Sequence, residues 1–299
     1  MKPQDILATS KRELALVIGN GINRYGDAGK SNSWDDLLLS LASKNGIAVE
    51  EKIPEGITLT EFYDLLDLGR PKKVKAEGSL QEEFCAGMDG WQDFPHHQRI
   101  VHWAQRNGTP ILTTNFDAVL SRAGGCRLLP DRLTTSFTDF YPWNRYYGDR
   151  VLQRPHHGFG IWHINGMQRY RRSIRLGLTH YMGSVERVRG WMHKGNEGLL
   201  FSGRNLLNWP GAGTWLDIVF NKSLFIFGLG LEENEVFLRW LLIERARYFN
   251  KFPDRRRDGW YIYTSDKEKH GKLFFLESLG IKPVKANDYD EVYGVVTWE

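Results

Sequence analysis

Cysteine is scarce: Cys85 and Cys126 are the only two among 299 residues, and no Cys-x-x-Cys occurs. A four-cysteine zinc module within one chain is therefore excluded, and two thiols cannot build a disulfide framework. Long apolar runs are missing too. The longest, at 224–231, contains two glycines and falls well short of the roughly 18–20 residues that span a bilayer. The opening MKPQDILATSKREL has no apolar signal core. Neither sign of charge dominates, with 40 Lys+Arg against 36 Asp+Glu and a net charge of +4. A dedicated nucleic-acid binder is more basic than this. The expectation is a soluble cytoplasmic protein, without a membrane and with only indirect contact to nucleic acid. The sequence shows no internal repeat and no low-complexity segment.

Apolar residues, by contrast, are plentiful. They make up 41% of the chain before its 31 glycines are counted, enough to bury a large core without metals or disulfides. There are 11 Trp, 12 Tyr and 16 Phe. Core and subunit interface is their ordinary use, and ligand stacking the alternative.

Short apolar runs alternate with helical patterns. Strands are expected at 13–19 (ELALVIG), 109–114, 160–164, 224–228, 260–264 and 281–284, with a further extended segment at 173–178. Ser33 reads as an N-cap, followed by Asp35 and Asp36 in the first turn and a stop near Asn45-Gly46. Residues 94–106 read as an amphipathic helix with Pro95 in its first turn. Short helices are expected at 118–122 and 273–279. Longer ones run from a Thr179 cap towards Trp191 and over 232–249, the last with three carboxylates in its first turn. This order predicts an α/β fold: a Rossmann-like, mostly parallel sheet with helices on both faces. It forms a single domain over 1–299, with a helical insertion at about 46–107 and an irregular arm at about 127–154.

Four polar or glycine-rich loops follow the expected strand ends, where open parallel sheets hold ligands. Gly19-Asn20-Gly21 lets a backbone approach a pyrophosphate, or makes an ordinary tight turn; Arg24 breaks the GxGxxG pattern. Asn115 either orients a ribose hydroxyl or water, or caps a helix with Asp117 in its first turn. His163 is either a satisfied core histidine or a base near neutrality, and His156, His157 and His180 are nearby candidates. Arg169, Arg171 and Arg172 suit a phosphate, a solvated face or a subunit contact. No HExxH or similar metal motif occurs.

Taken together, these segments resemble the silent-information-regulator (sirtuin-like) family. IGNGIN (18–23), TTNFD (113–117), WHINGM (162–167) and FGLGLEENE (227–235) come in the family's order. SWDDLL (33–38) and SIRLGLTHY (173–181) resemble its bacterial branch. Asn165-Gly166 stands where the family has a histidine-glycine pair, and Asn23 where it has serine.

The resemblance, with no zinc ribbon, implies an NAD hydrolase of anti-phage defence. Such a chain forms homo-oligomers and works beside a HerA-type ATPase. It implies that Asn115 orients the ribose and a water, Asp117 holds the carboxamide, and His163 takes the water's proton, with Asn165 or His157 as other occupants of the base position. Gly19, Asn20, Gly21, Asn23, Thr114, Asn165, Gly228 and Gly230 would bind NAD, with no metal. Two other functions fit the same residues: a non-catalytic NAD- or ADP-ribose-binding scaffold of an ATPase complex, and an NAD-dependent protein deacylase.

Overall fold

The computed structural model describes residues 2–9, 11–26, 32–49, 51–71, 78–130, 141–193, 199–202, 208–233, 235–265 and 268–299. Eight strands form one sheet: β1 (Leu14–Ile18), β2 (Ile111–Thr113), β3 (Arg127–Leu129), β4 (Tyr146–Gly148), β5 (Ile161–His163), β6 (Ser223–Phe227), β7 (Gly259–Tyr263) and β8 (Lys282–Lys285). Their order is β3-β4-β5-β2-β1-β6-β7-β8. From β5 to β8 every neighbour is parallel, and β4 is antiparallel to both β3 and β5.

Strand composition explains why both faces are covered. In β1, Leu14, Leu16 and Ile18 enter one core layer while Ala15 and Val17 enter the other. In β6, Phe225 and Phe227 share the first layer, and Leu224 and Ile226 the second. A strand apolar on both faces needs helices on both.

Those helices are α1 (Pro3–Thr9), α2 (Gly21–Arg24), α3 (Trp34–Lys44), α4 (Leu59–Gly69), α5 (Leu80–Gly87), α6 (Pro95–Asn107), α7 (Val119–Ala123), α8 (Leu178–His193), α9 (Leu216–Asn221), α10 (Val236–Lys251), α11 (His270–Ser278) and α12 (Asp290–Tyr293). One layer takes α1 and α6, and the other takes α8, α9 and α10. Helices α3, α4 and α5 enclose a third cluster that includes Phe116 and Ile174. They supply most of the helical insertion expected between the first two strands, of which 72–77 lie outside the described residues.

Several expectations are corrected. The arm at 127–154 contains β3 and β4, each too short to show period-2 alternation; its residues 131–140 lie outside the described residues. Residues 173–178 form no strand: a 3₁₀ segment ends at Ser173, 174–177 belong to no helix or strand with Ile174 in an extended conformation, and α8 begins at Leu178. Thr179 lies inside α8, and the Asp64 carboxylate accepts from the Leu178 N–H at 2.9 Å instead. Ser33 occupies the N-cap of α3 without a side-chain capping bond. Helix α10 starts at Val236 with Glu235 at its N-cap, and Leu231 before it takes a left-handed φ of 49°. The carboxylates of Glu232, Glu233 and Glu235 thus precede the helix.

Gly183 and Gly190 sit on α8 with open space where a Cβ would go. Alanine at either position is expected to stabilise the fold by roughly 0.5–1 kcal/mol. That raises the melting temperature by about 1–2 °C in a chain of this size, measurable by differential scanning calorimetry. A fall in melting temperature would contradict the open surroundings of α8.

Candidate functional site

The chain runs from β1 to β2 and β5 on one side of the sheet, then returns to lay β6 on the other side of β1. Such a switch point opens a crevice at the carboxyl ends of the strands. A cleft of about 420 Å³ lies there. The loop after β1 contributes Asn20, Gly21 and Arg24; the loop after β6 contributes Gly228–Leu231; and β7 contributes Tyr261 and Tyr263. Thr114 reaches it from the end of β2.

Two loops interlock to make the cleft floor. Gly19 N donates to Phe227 O at 3.1 Å, and Gly21 N to Gly228 O at 2.8 Å. A Cβ on Gly19 would lie 2.4 Å from Gly228 O, and Gly228 itself has a φ of 63°. The glycines therefore let two stretches of backbone approach each other closely. On the far side, Lys272 Nζ donates to Gly230 O at 2.6 Å and to Glu232 Oε1 at 3.0 Å. Arg24 is exposed and makes no hydrogen bond or ion pair with the described residues.

A smaller cavity of about 70 Å³ adjoins the cleft and shares Trp34, Leu59, Thr114 and Glu235 with it. Its own lining includes Asn165, Arg175, Phe116 and Tyr181. It has room for water, which needs only about 10–15 Å³ of such space. Arg175 is buried, with Nε donating to Ser184 Oγ at 3.1 Å and its backbone N to Asn165 O at 2.8 Å. Glu235 is half-buried, and its carboxylate has no hydrogen bond or ion pair among the described residues. Burial pushes its pKa up to about 7. Its charge helps burial to raise the Tyr181 phenol further.

The residues expected to carry catalysis lie elsewhere. Asn23 Nδ2 donates to Asn20 Oδ1 at 2.8 Å and to Asp117 Oδ2 at 3.0 Å, while Asn23 Oδ1 meets His97 Nε2 at 3.0 Å. Asp117 Oδ1 accepts from Val119 N at 2.9 Å. Burial raises the Asp117 carboxyl above its ordinary range, against the pull of the hydrogen bonds from Val119 and Asn23. Asp117 lines a different, polar cavity of about 410 Å³ with Arg122, Arg169 and Arg171. Asn115 is buried; its Nδ2 lies 3.4 Å from Gly19 O, and its Oδ1 has no partner among the described residues. Asn115 is not the helix cap, because α7 is preceded by Ala118.

His163 is fully enclosed. Asn115 O accepts from its Nδ1 at 2.7 Å, which leaves Nε2 as an unpartnered acceptor. Burial lowers its pKa to about 4. Strand parity explains the position: Ile161 and His163 share one face of β5, and Trp162 points to the other. The imidazole expected beside a ribose is therefore behind Asn115 and lines neither cavity. Of the other histidines, His156 pairs with Asp217 beside α9, and His180 Nδ1 accepts from Leu176 and Gly177 N–H groups at 3.3 and 3.2 Å.

The structure thus gathers Asn20, Gly21, Thr114, Gly228 and Gly230 around the cleft, and Thr114 with Asn165 around the small cavity. Gly19, Asn23, Asn115, Asp117 and His163 form the layer beneath. Sequence reasoning missed Arg24, seen only as a break in a glycine pattern, and Glu235, seen only as a helix-start acid. Among the described residues, no three His, Cys, Asp or Glu side chains are grouped to hold a metal ion. No helix among them is long and apolar enough to cross a membrane. No known protein-family model matches the chain, and no curated protein matches it.

Proposed function

We propose that the chain binds NAD in the cleft and hydrolyses it to nicotinamide and ADP-ribose. The observation that carries this reading is the continuity of the two cavities. A cleft between glycine loops at the switch point shares Trp34, Leu59, Thr114 and Glu235 with a small, largely apolar-walled cavity that Asn165 also lines. The diphosphate would lie against Gly21, Gly228 and Gly230, with Arg24 supplying positive charge in a lining otherwise rich in carboxylates. Tyr261 and Tyr263 offer apolar surface towards the adenosine end.

The chemistry asks little of the leaving group. Nicotinamide departs neutral from a cationic pyridinium, so the barrier lies in an oxocarbenium-like ribose. The protein has to hold the ribose and present a water to its anomeric carbon. The small cavity suits that water, with the Asn165 amide to orient it. The buried layer acts from behind: Asp117 fixes Asn23, Asn23 fixes Asn20, and Asn115 braces the Gly19 turn. A role in anti-phage defence, assembly into homo-oligomers and a HerA-type ATPase partner belong to the same proposal and rest on the sequence resemblance.

Incubating the purified full chain with NAD, alone and with the neighbouring ATPase, tests the reading. Chromatography is expected to show nicotinamide and ADP-ribose appearing in equal amounts. A chain that binds ADP-ribose yet leaves NAD intact under both conditions would instead be a non-catalytic binding subunit. One observation favours that second reading: no imidazole lines either cavity among the described residues.

A further inference from the structure

The hydrolysis reading leaves one step without an agent, because the buried His163 ring does not reach the cavities. We propose that Glu235 is the general base, its carboxylate taking the proton from a water held in the small cavity beside Asn165. The inference rests on the hydrolysis reading and names a residue for its proton-transfer step.

The geometry is specific. Glu235 is the one carboxylate among the described residues that lines both the cleft and the small cavity. It therefore stands at the junction where a ribose in the cleft would meet a water in the small cavity. Its carboxylate has no partner among the described residues, whereas Glu232 is tied to Lys269 and Lys272, and Glu268 to Lys272. The backbone at Glu235 is anchored, its N–H donating to Glu232 O at 3.0 Å and its carbonyl accepting from Arg239 N at 2.9 Å. The side chain thus projects from a fixed helix start.

Tyr181 of α8 and Arg175, just before α8, line the small cavity, while Arg24 of α2, Asp35 of α3, Glu232, Glu268 and the phenols of Tyr261, Tyr263, Tyr289 and Tyr293 line the cleft. A half-buried carboxylate with no bonded cation holds a proton more readily than an exposed one. Such a carboxylate accepts a proton near neutral pH, as a general base should.

The step balances. A water oxygen bonds to the anomeric carbon as its proton passes to the Glu235 carboxylate. The bond from that carbon to the pyridinium nitrogen breaks, and its electron pair neutralises the departing nicotinamide. The proton leaves Glu235 to solvent through the open cleft.

The test compares the wild-type chain with Glu235→Gln and Glu235→Asp, reading NAD turnover against pH and ADP-ribose affinity by calorimetry. Wild-type kcat is expected to rise through about pH 7 to a plateau. Glu235→Gln is expected to lose at least about 100-fold in kcat, lose that pH dependence and keep ADP-ribose affinity within about threefold. Glu235→Asp should recover part of the rate. An active wild type with Glu235→Gln equally active, or with an unchanged pH profile, would overturn the base while leaving the hydrolysis reading standing. A wild type that binds ADP-ribose but releases no nicotinamide, alone or with its ATPase, would overturn both.

Discussion

Gly19→Ala is expected to destabilise the fold by about 3 kcal/mol and to weaken ADP-ribose binding at least tenfold. The added methyl would sit 2.4 Å from Gly228 O and 2.7 Å from the Leu229 Cα and Cβ. Two of those three atoms are backbone, so no side-chain rotation relieves the contact. Overpacking of a well-filled interior costs roughly 1–3 kcal/mol, and a backbone neighbour puts this site at the upper end. At about 2 cal/mol/K of unfolding entropy per residue, 3 kcal/mol lowers the melting temperature by about 5 °C. The binding loss follows from the same contact. Pushing the β1 and β6 loops apart breaks the Gly21–Gly228 hydrogen bond and spreads the cleft floor. Calorimetric unfolding and ADP-ribose titration of the variant check both effects. A variant as stable as wild type and binding as tightly would mean that the two loops do not interlock in this way.

Acid is expected to loosen the layer beneath the cleft. His97 has its pKa lowered to about 3, by burial first and then by the neighbouring His96; burial takes His163 to about 4 against the opposing hydrogen bond to Asn115 O. In the unfolded chain both return to the ordinary 6.5. Below pH 6.5 the unfolded state therefore binds protons that the folded state refuses, and stability falls as pH falls. The contribution is complete above about pH 6.5 and is lost progressively towards the folded-state values. Between pH 6.5 and 5, each imidazole withdraws about 2 kcal/mol. Urea unfolding at pH 7.5 and 5.0 measures the sum. His97→Asn lowers stability at pH 7.5, because Asn23 Oδ1 and the Phe94 N–H lose their partner. The same variant should lose about 2 kcal/mol less than wild type on acidification. An identical acid loss in variant and wild type would contradict the assignment.

The parallel core was legible in the sequence because β1, β6 and β7 are five-residue apolar runs whose boundaries are marked by glycine or charge. The glycine loops read in sequence as close approach to a ligand or as tight turns, and the structure shows them approaching each other's backbone. The antiparallel edge was not legible, because three residues of β3 or β4 carry no period. The start of α10 is not legible, because Glu232, Glu233 and Glu235 suit a first helical turn in sequence while the helix begins only at Val236.

Placement at the cleft was legible for Asn20, Gly21, Thr114, Gly228 and Gly230, and not for Asn23, Asn115 and His163, which lie beneath it. The sequence around His163 suggests a ribose partner, yet WHI alternates across the sheet. The parity that buries Ile161 on the α6 face buries His163 there as well. Asn165, two residues on and past the strand end, escapes that alternation and reaches the small cavity. Asn23 and Asp117 were matched to ligand roles, although their side chains satisfy each other. Their pairing across 94 residues is visible only once the fold brings the two loops together.

The central claim is that one dinucleotide lies over the tips of β1, β6 and β7 with its ribose at the mouth of the small cavity. A crystal structure of the full chain with ADP-ribose tests it most directly. The account predicts the diphosphate against Gly21 and Gly228–Gly230, the adenosine towards Tyr261 and Tyr263, and the distal ribose facing Thr114 and Glu235. An empty cleft at saturating ligand, or ADP-ribose seated instead in the arginine-lined cavity at Arg169 and Arg171, would contradict it.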